Sequence, residues 1–194
     1  EADASHVKVT VAARQGTYNG IDPNRRLQFI FAGVFAPEKV YVNGMEIPYS
    51  RFAEHNAEVD GTTAEWGYNG ADLSAIVYLP ETAASDEVTV ECTFNDYAAS
   101  HRDLLNGKKG LMHRMMDITP ETKLVFGKNI DPYMMLPDSF LALAQCSSFI
   151  TEAPQNAGKY LENINSKALI DEFSSMEKLP AEFIEKIKAQ TNAK

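Results

Sequence analysis

Only two cysteines, Cys92 and Cys146, occur in 194 residues. They are too few for a disulfide framework and lack the CxxC spacing of a metal site. Both are expected to be buried thiols, because an unpaired cysteine behaves as a small hydrophobe; a bridge between them is the alternative. Basic residues are scarce too, with 18 Lys and Arg against 27 Asp and Glu and a formal charge of −9. A phosphate backbone or anionic bilayer would be repelled by that balance, so no nucleic acid is expected as a partner. No apolar run approaches the roughly 18 residues of a membrane helix, so no membrane span is expected.

Catalytic signatures are missing as well. There is no GxSxG elbow for a serine nucleophile and no HxH or HExxH pattern among His6, His55, His101 and His113, so no metal and no cofactor is expected. Gly107-Lys108-Lys109-Gly110 resembles a phosphate loop only in composition, lacking the preceding strand and the hydroxyl after the lysine; it reads as a helix-ending turn. The chain begins at Glu1 with neither an initiator Met nor a signal peptide, which reads as processing or as excision from something larger.

What is present divides the chain in two. Residues 1–96 carry 6 basic and 15 acidic side chains, whereas residues 97–194 carry 12 of each; such a shift marks a boundary between modules. In the first part the apolar period is two. Val7, Val9 and Val11 alternate with Lys8, Thr10 and Ala12, which predicts a half-buried strand with one core face. Further strands are expected at 27–33, 39–42, 45–48, 64–68, 73–79 and 87–94. Asn43-Gly44 predicts a type I′ hairpin, since these residues accept the positive φ angles that turn requires. Short antiparallel strands with frequent turns and no intervening helices predict a β-sandwich or a small barrel, with the sandwich favoured.

After Asn95-Asp96 the period becomes helical. Helices are expected at 97–106 and 109–117, the latter from the spacing of Met112, Met115 and Met116, and another should start at Thr119-Pro120 with Thr119 as its cap. Helices over 137–150, 155–176 and 180–189 complete the set. The expectation is an α+β chain: an antiparallel β-sandwich at 1–96 followed by an all-α region at 97–194.

Two surface readings are weighed against core packing. Tyr18, Trp66 and Tyr68, with Asn19, Asn69 and Asp72 nearby, have the composition of an aromatic platform that stacks on a sugar ring; alternatively Trp66 is inter-sheet core and the tyrosines close its edge. Met112, Met115, Met116, Met134 and Met135 suit either a partner groove or core filling.

Three runs carry a resemblance. The segments Val9–Gly20, Pro37–Gly44 and Tyr68–Leu73 resemble the C-terminal β-sandwich that follows the catalytic barrel in family 31 glycoside hydrolases, the α-glucosidase and α-xylosidase group. The likeness spans about residues 5–95 and rests on turn and strand signatures. The runs Leu104–Gly110 and Asp131–Pro137 resemble a helical extension of some bacterial members. The resemblance implies a non-catalytic accessory region whose partner is the parent enzyme's catalytic barrel, with both catalytic carboxylates upstream of Glu1. No catalytic residue is therefore carried over to this chain. It also implies contact with α-linked oligosaccharide and a periplasmic or secreted location. A carbohydrate-binding module and a protein-interaction domain using the helices are the rival readings.

Overall fold

Alternation of Val88, Val90 and Cys92 with Thr89, Glu91 and Thr93 organises the first half of the protein. In the computed structural model, which describes residues 1–53, 62–129 and 136–192, these residues form the central strand β9 (Val88–Thr93). Its three apolar side chains are 0 to 1% exposed. Strand β1 (His6–Val11) pairs with one edge of β9, β4 (Lys39–Val42) with the other, and β5 (Met45–Ile47) continues from β4, all antiparallel. One row of this sheet runs Val7, Cys92, Val40, Ile47 by register. Cross-strand neighbours of this kind share a face, and Cys92, Val40 and Ile47 are buried. The other face is polar, with Glu91 paired to His6 at 3.1 Å and Lys39 to Glu46 at 3.1 Å.

A second sheet orders β3 (Gln28–Ala32), β7 (Ser74–Tyr78) and β6 (Glu65–Asn69), again antiparallel. Its rows Phe29, Val77, Trp66 and Phe31, Ala75, Tyr68 follow from the register; all but Phe29 are buried and Phe29 is half-buried. The chain is thus α+β with a sandwich-like β part, as its alternation predicts. Two short strands absent from the sequence reading, β2 (Asn24–Arg25) and β8 (Thr82–Ala83), form a separate ribbon. Two residues per strand are too few to show a period.

The expected core face of β1 is corrected by the structure. Val9 is 38% exposed and no β1 residue is buried; β1 is the outermost named strand of its sheet, with β9 on one side and the isolated Ala2–Val7 bridge on the other. The hairpin reading of Asn43-Gly44 holds: Asn43 and Gly44 have φ of 50° and 81°, the signs a type I′ turn needs.

Past residue 95 every described element is helical. Asn95 caps α1 (Asp96–Ser100) by accepting from the Ala98 amide, and a 3-10 turn follows at Arg102–Leu105. Helix α2 spans Lys108–Asn129, so the expected division into 109–117 and a second helix beginning at Pro120 is wrong. The buried row Leu111, Met112, Met115, Ile118, Thr122, Phe126 continues across the proline, and packing along the whole row outweighs one missing hydrogen bond. Thr119 does not cap; its hydroxyl donates back to the Met115 carbonyl at 2.7 Å.

Helix α3 is Asp138–Glu152. The single helix expected over 155–176 is instead a 3-10 turn at Pro154–Asn156, then α4 (Ala157–Glu162) and α5 (Ser166–Ser174). Asn165 makes the break, because its side chain accepts from the Ala168 amide at 3.1 Å and starts a new helix. Helix α6 is Ala181–Asn192. Phe173 of α5 meets Phe126, Phe140 and Phe183 edge-on, with centroids 5.7, 5.8 and 6.1 Å away, a geometry favoured by the ring quadrupoles. No helix among the described residues is long and apolar enough to cross a membrane.

The backbone resolves into two compact units, Glu1–Asn69 with Leu73–Arg102, and Gly70–Asp72 with Asp103–Lys194. The helical unit therefore includes three residues of the β6–β7 connection.

Candidate functional site

The structure separates the three aromatic candidates. Trp66 and Tyr68 lie on the inner row of β6, each 6% exposed, while Tyr18 is 70% exposed. Tyr49 stands edge-on to Trp66 at 4.8 Å, and the Tyr68 hydroxyl donates to the Val34 carbonyl at 2.6 Å. Burial pushes the Tyr68 phenol up from its ordinary value. Neither ring has a free face, so the core reading of Trp66 replaces the platform and Tyr18 alone offers a surface. The reason is register: Trp66 is directly opposite Val77, which is fully buried.

Tyr18 sits in a loop held by polar contacts. Arg14 donates from Nη1 to the Asp22 carbonyl at 2.8 Å, the Asn24 amide donates to Asp22 Oδ1 at 2.9 Å, and the Asn24 side chain donates to Glu81 at 2.8 Å. Arg25 reaches the Asp86 carbonyl at 2.6 Å. These bonds fix the loop's ends and leave the Tyr18 ring outside.

A polar cluster in the helical unit escaped the sequence reading. Asp72 Oδ1 lies 2.7 Å from Lys109 Nζ and 3.5 Å from His113 Nε2. His113 Nε2 is also 3.0 Å from the Ala71 carbonyl, which can only accept, so that nitrogen carries a proton. Lys109, and after it His113, holds the Asp72 carboxyl below its ordinary value. Beside it, the Gly70 amide donates to Thr151 Oγ1 of α3 at 2.8 Å. Lys109 and His113 are four apart on one helix, but nothing local links them to residues 70–72 some forty positions earlier. Only the fold does.

This cluster is suited to fastening rather than to proton transfer, since a carboxylate held low is a poor acid. Another pair that resembles a nucleophile and its base is Ser100 and His101, with Oγ 2.9 Å from Nδ1. The Ser100 hydroxyl donates its one hydrogen to a backbone carbonyl, with the Asp96 carbonyl at 2.6 Å and the Tyr97 carbonyl at 3.1 Å. Nδ1 then carries a hydrogen, directed to Ser100 Oγ and to the Tyr97 carbonyl at 3.0 Å. In this arrangement Nδ1 is a donor and not the base of a serine nucleophile. The two residues close the C-terminal end of α1.

The cysteines are both free and buried. Burial pushes the Cys92 thiol up to about 12 and the Cys146 thiol up to about 11, the reverse of an activated nucleophile. Among the described residues no group of three or more His, Cys, Asp or Glu could hold a metal ion. Gly107, with φ of 74°, turns the chain between the 3-10 turn and α2. Of the methionine candidates, Met112 and Met115 are fully buried and Met116 is 42% exposed; His55, Met134 and Met135 lie outside the described residues. Comparison with known proteins finds no family model that matches the chain, and no curated protein or solved structure similar to it.

Proposed function

We propose that this chain is a non-catalytic accessory region of an α-glycosidase of the family 31 type, a sandwich-like unit with a helical appendage that supports a catalytic barrel. The observation that carries the reading is where the three resembling runs fall. Val9–Gly20 runs from β1 into the loop tied by Arg14 and Asp22. Pro37–Gly44 leads through β4 into the type I′ turn. Tyr68–Leu73 covers the end of β6 and its connection to β7. These are framework positions, as a supporting module requires. Among the described residues the two carboxyl groups that depart from their ordinary values, Asp3 and Asp72, are both held low, opposite to the raised acid that glycoside hydrolysis needs. On this reading the parent enzyme works on α-linked oligosaccharide in an envelope or secreted setting.

The test is release of nitrophenol from a nitrophenyl α-glucoside by the purified chain, from acid to neutral pH. No turnover above a mock-purified control is expected. Turnover abolished by a single carboxylate substitution would make the chain an enzyme in its own right. The rival carbohydrate-binding reading is left with Tyr18, and calorimetry with maltose-type oligosaccharides tests it; saturation at micromolar concentration would favour it, because a lone ring gains little beyond stacking.

A further inference from the structure

The sequence contains four Asn-Gly pairs, at 19–20, 43–44, 69–70 and 106–107. Such a pair carries its own chemistry. The glycine backbone nitrogen can attack the asparagine Cγ, forming an N–Cγ bond while the Cγ–Nδ2 bond breaks and ammonia leaves. Water then opens the cyclic imide to aspartate or to isoaspartate, whose backbone passes through the side-chain carbon. Water is the only co-reactant, and no oxidant or reductant is involved. Closure needs an asparagine amide free to rotate toward the following nitrogen and a glycine N–H not committed elsewhere.

The four sites differ in just these respects. Asn43 is held twice by β9: its amide donates to the Thr89 carbonyl at 2.8 Å, and its Oδ1 accepts from the Thr89 amide at 2.8 Å. Gly70 has given its N–H to Thr151 Oγ1, and its Cα is packed so closely on α3 that an added Cβ would lie 2.5 Å from the Thr151 nitrogen. Asn106 donates from Nδ2 to Asp103 Oδ1 at 3.2 Å, and its amide donates to the Asp103 carbonyl at 3.1 Å. Asn19 and Gly20 stand apart. Both are exposed, and among the described residues neither the Asn19 side chain nor the Gly20 N–H has a hydrogen-bond partner. They are the two central residues of a turn closed by the Ile21 amide on the Tyr18 carbonyl at 3.3 Å, with Gly20 at φ of 87°.

We propose that Asn19-Gly20 is a spontaneous modification site, the first Asn-Gly pair of the folded protein to convert to aspartate and isoaspartate. Conversion adds a carboxylate beside Tyr18, the exposed ring of that loop, and isoaspartate lengthens the turn's backbone by one carbon. The inference does not depend on the glycosidase reading.

The experiment incubates the full chain at mildly alkaline pH and maps its peptides by mass at intervals, with a Thr17–Pro23 peptide as the unstructured control. Each event adds about 1 Da and one negative charge. Asn19 should convert on the order of tenfold faster than Asn43, Asn69 or Asn106, since those three must first break a hydrogen bond. In denaturant the four rates should converge. The variant N19Q, whose longer side chain closes the ring poorly, should lose the early acidic species with an unchanged circular dichroism spectrum. Earlier conversion at another pair, persistence of the acidic species in N19Q, or an intact Asn19 while the control peptide reacts would each overturn the proposal.

Discussion

The Gly70 amide donates to the Thr151 hydroxyl at 2.8 Å, and that hydroxyl donates in turn to the Ser147 carbonyl at 2.8 Å one helical turn earlier. Glycine is required here by space rather than by φ. A Cβ at position 70 would lie 2.5 Å from the Thr151 nitrogen and 2.7 Å from its Oγ1, distances at which backbone must move.

Gly70→Ala is therefore expected to destabilise the helical unit by about 1 to 3 kcal/mol, the usual cost of overpacking. Thr151→Val keeps the shape but removes the acceptor, and should cost about 1 kcal/mol. Urea denaturation followed by far-ultraviolet circular dichroism measures both; an unchanged midpoint in Gly70→Ala would mean that the contact does not form.

Pro120 carries the opposite expectation. It lies inside α2 and offers no N–H to the Met116 carbonyl. Pro120→Ala should restore that bond and raise the thermal midpoint of the helical unit, with a gain on the order of 1 to 2 kcal/mol. Interior proline costs about 3 kcal/mol, and part of this is offset by the entropy proline removes from the unfolded chain. A lower midpoint would show that α2 needs the proline.

Asp72 makes stability depend on pH in a defined direction. Its carboxyl is held below the ordinary value by the Lys109 ammonium and then by His113, so the folded state binds that proton less readily than the unfolded chain does. The contribution is present above the unfolded pKa and is lost as pH falls through the folded one. The Asp72 side chain is 39% exposed, so screening limits the effect to less than about 1 kcal/mol. Asp72→Asn should lower stability by that modest amount at neutral pH, and the difference should vanish in acid. A difference that persists in acid would assign the effect to packing.

The two thiols should be silent in the folded protein. With Cys92 pushed up to about 12 and Cys146 to about 11 by burial, iodoacetamide at neutral pH should label neither, and denaturant should expose both. Labelling of either in the native state would contradict its place in the core.

Sequence period made the central strand and the turn legible. Val88, Val90 and Cys92 alternate with Thr89, Glu91 and Thr93 because successive strand side chains take opposite faces and one face of β9 is buried, and Asn43-Gly44 carries its own φ requirement. The same alternation in β1 misleads, because period reports which face a side chain takes and not whether a further strand covers it. Pro120 reads as a helix start, yet the buried row from Leu111 to Phe126 passes through it; tertiary packing overrides a local signal. Burial of Trp66 depends on its cross-strand partner Val77, and the Asp72, Lys109 and His113 cluster depends on chain folded from forty residues away. The cluster leaves no local trace, whereas a core place for Trp66 is one of the two readings its strand allows.

The most direct test of the accessory-region reading is recovery of the native polypeptide from its source cells with an antibody raised against this chain, followed by sequencing of that polypeptide. The account predicts a longer polypeptide in which a glycosidase barrel bearing two catalytic carboxylates precedes the residue numbered Glu1 here. A native polypeptide with no such barrel ahead of that residue would contradict it.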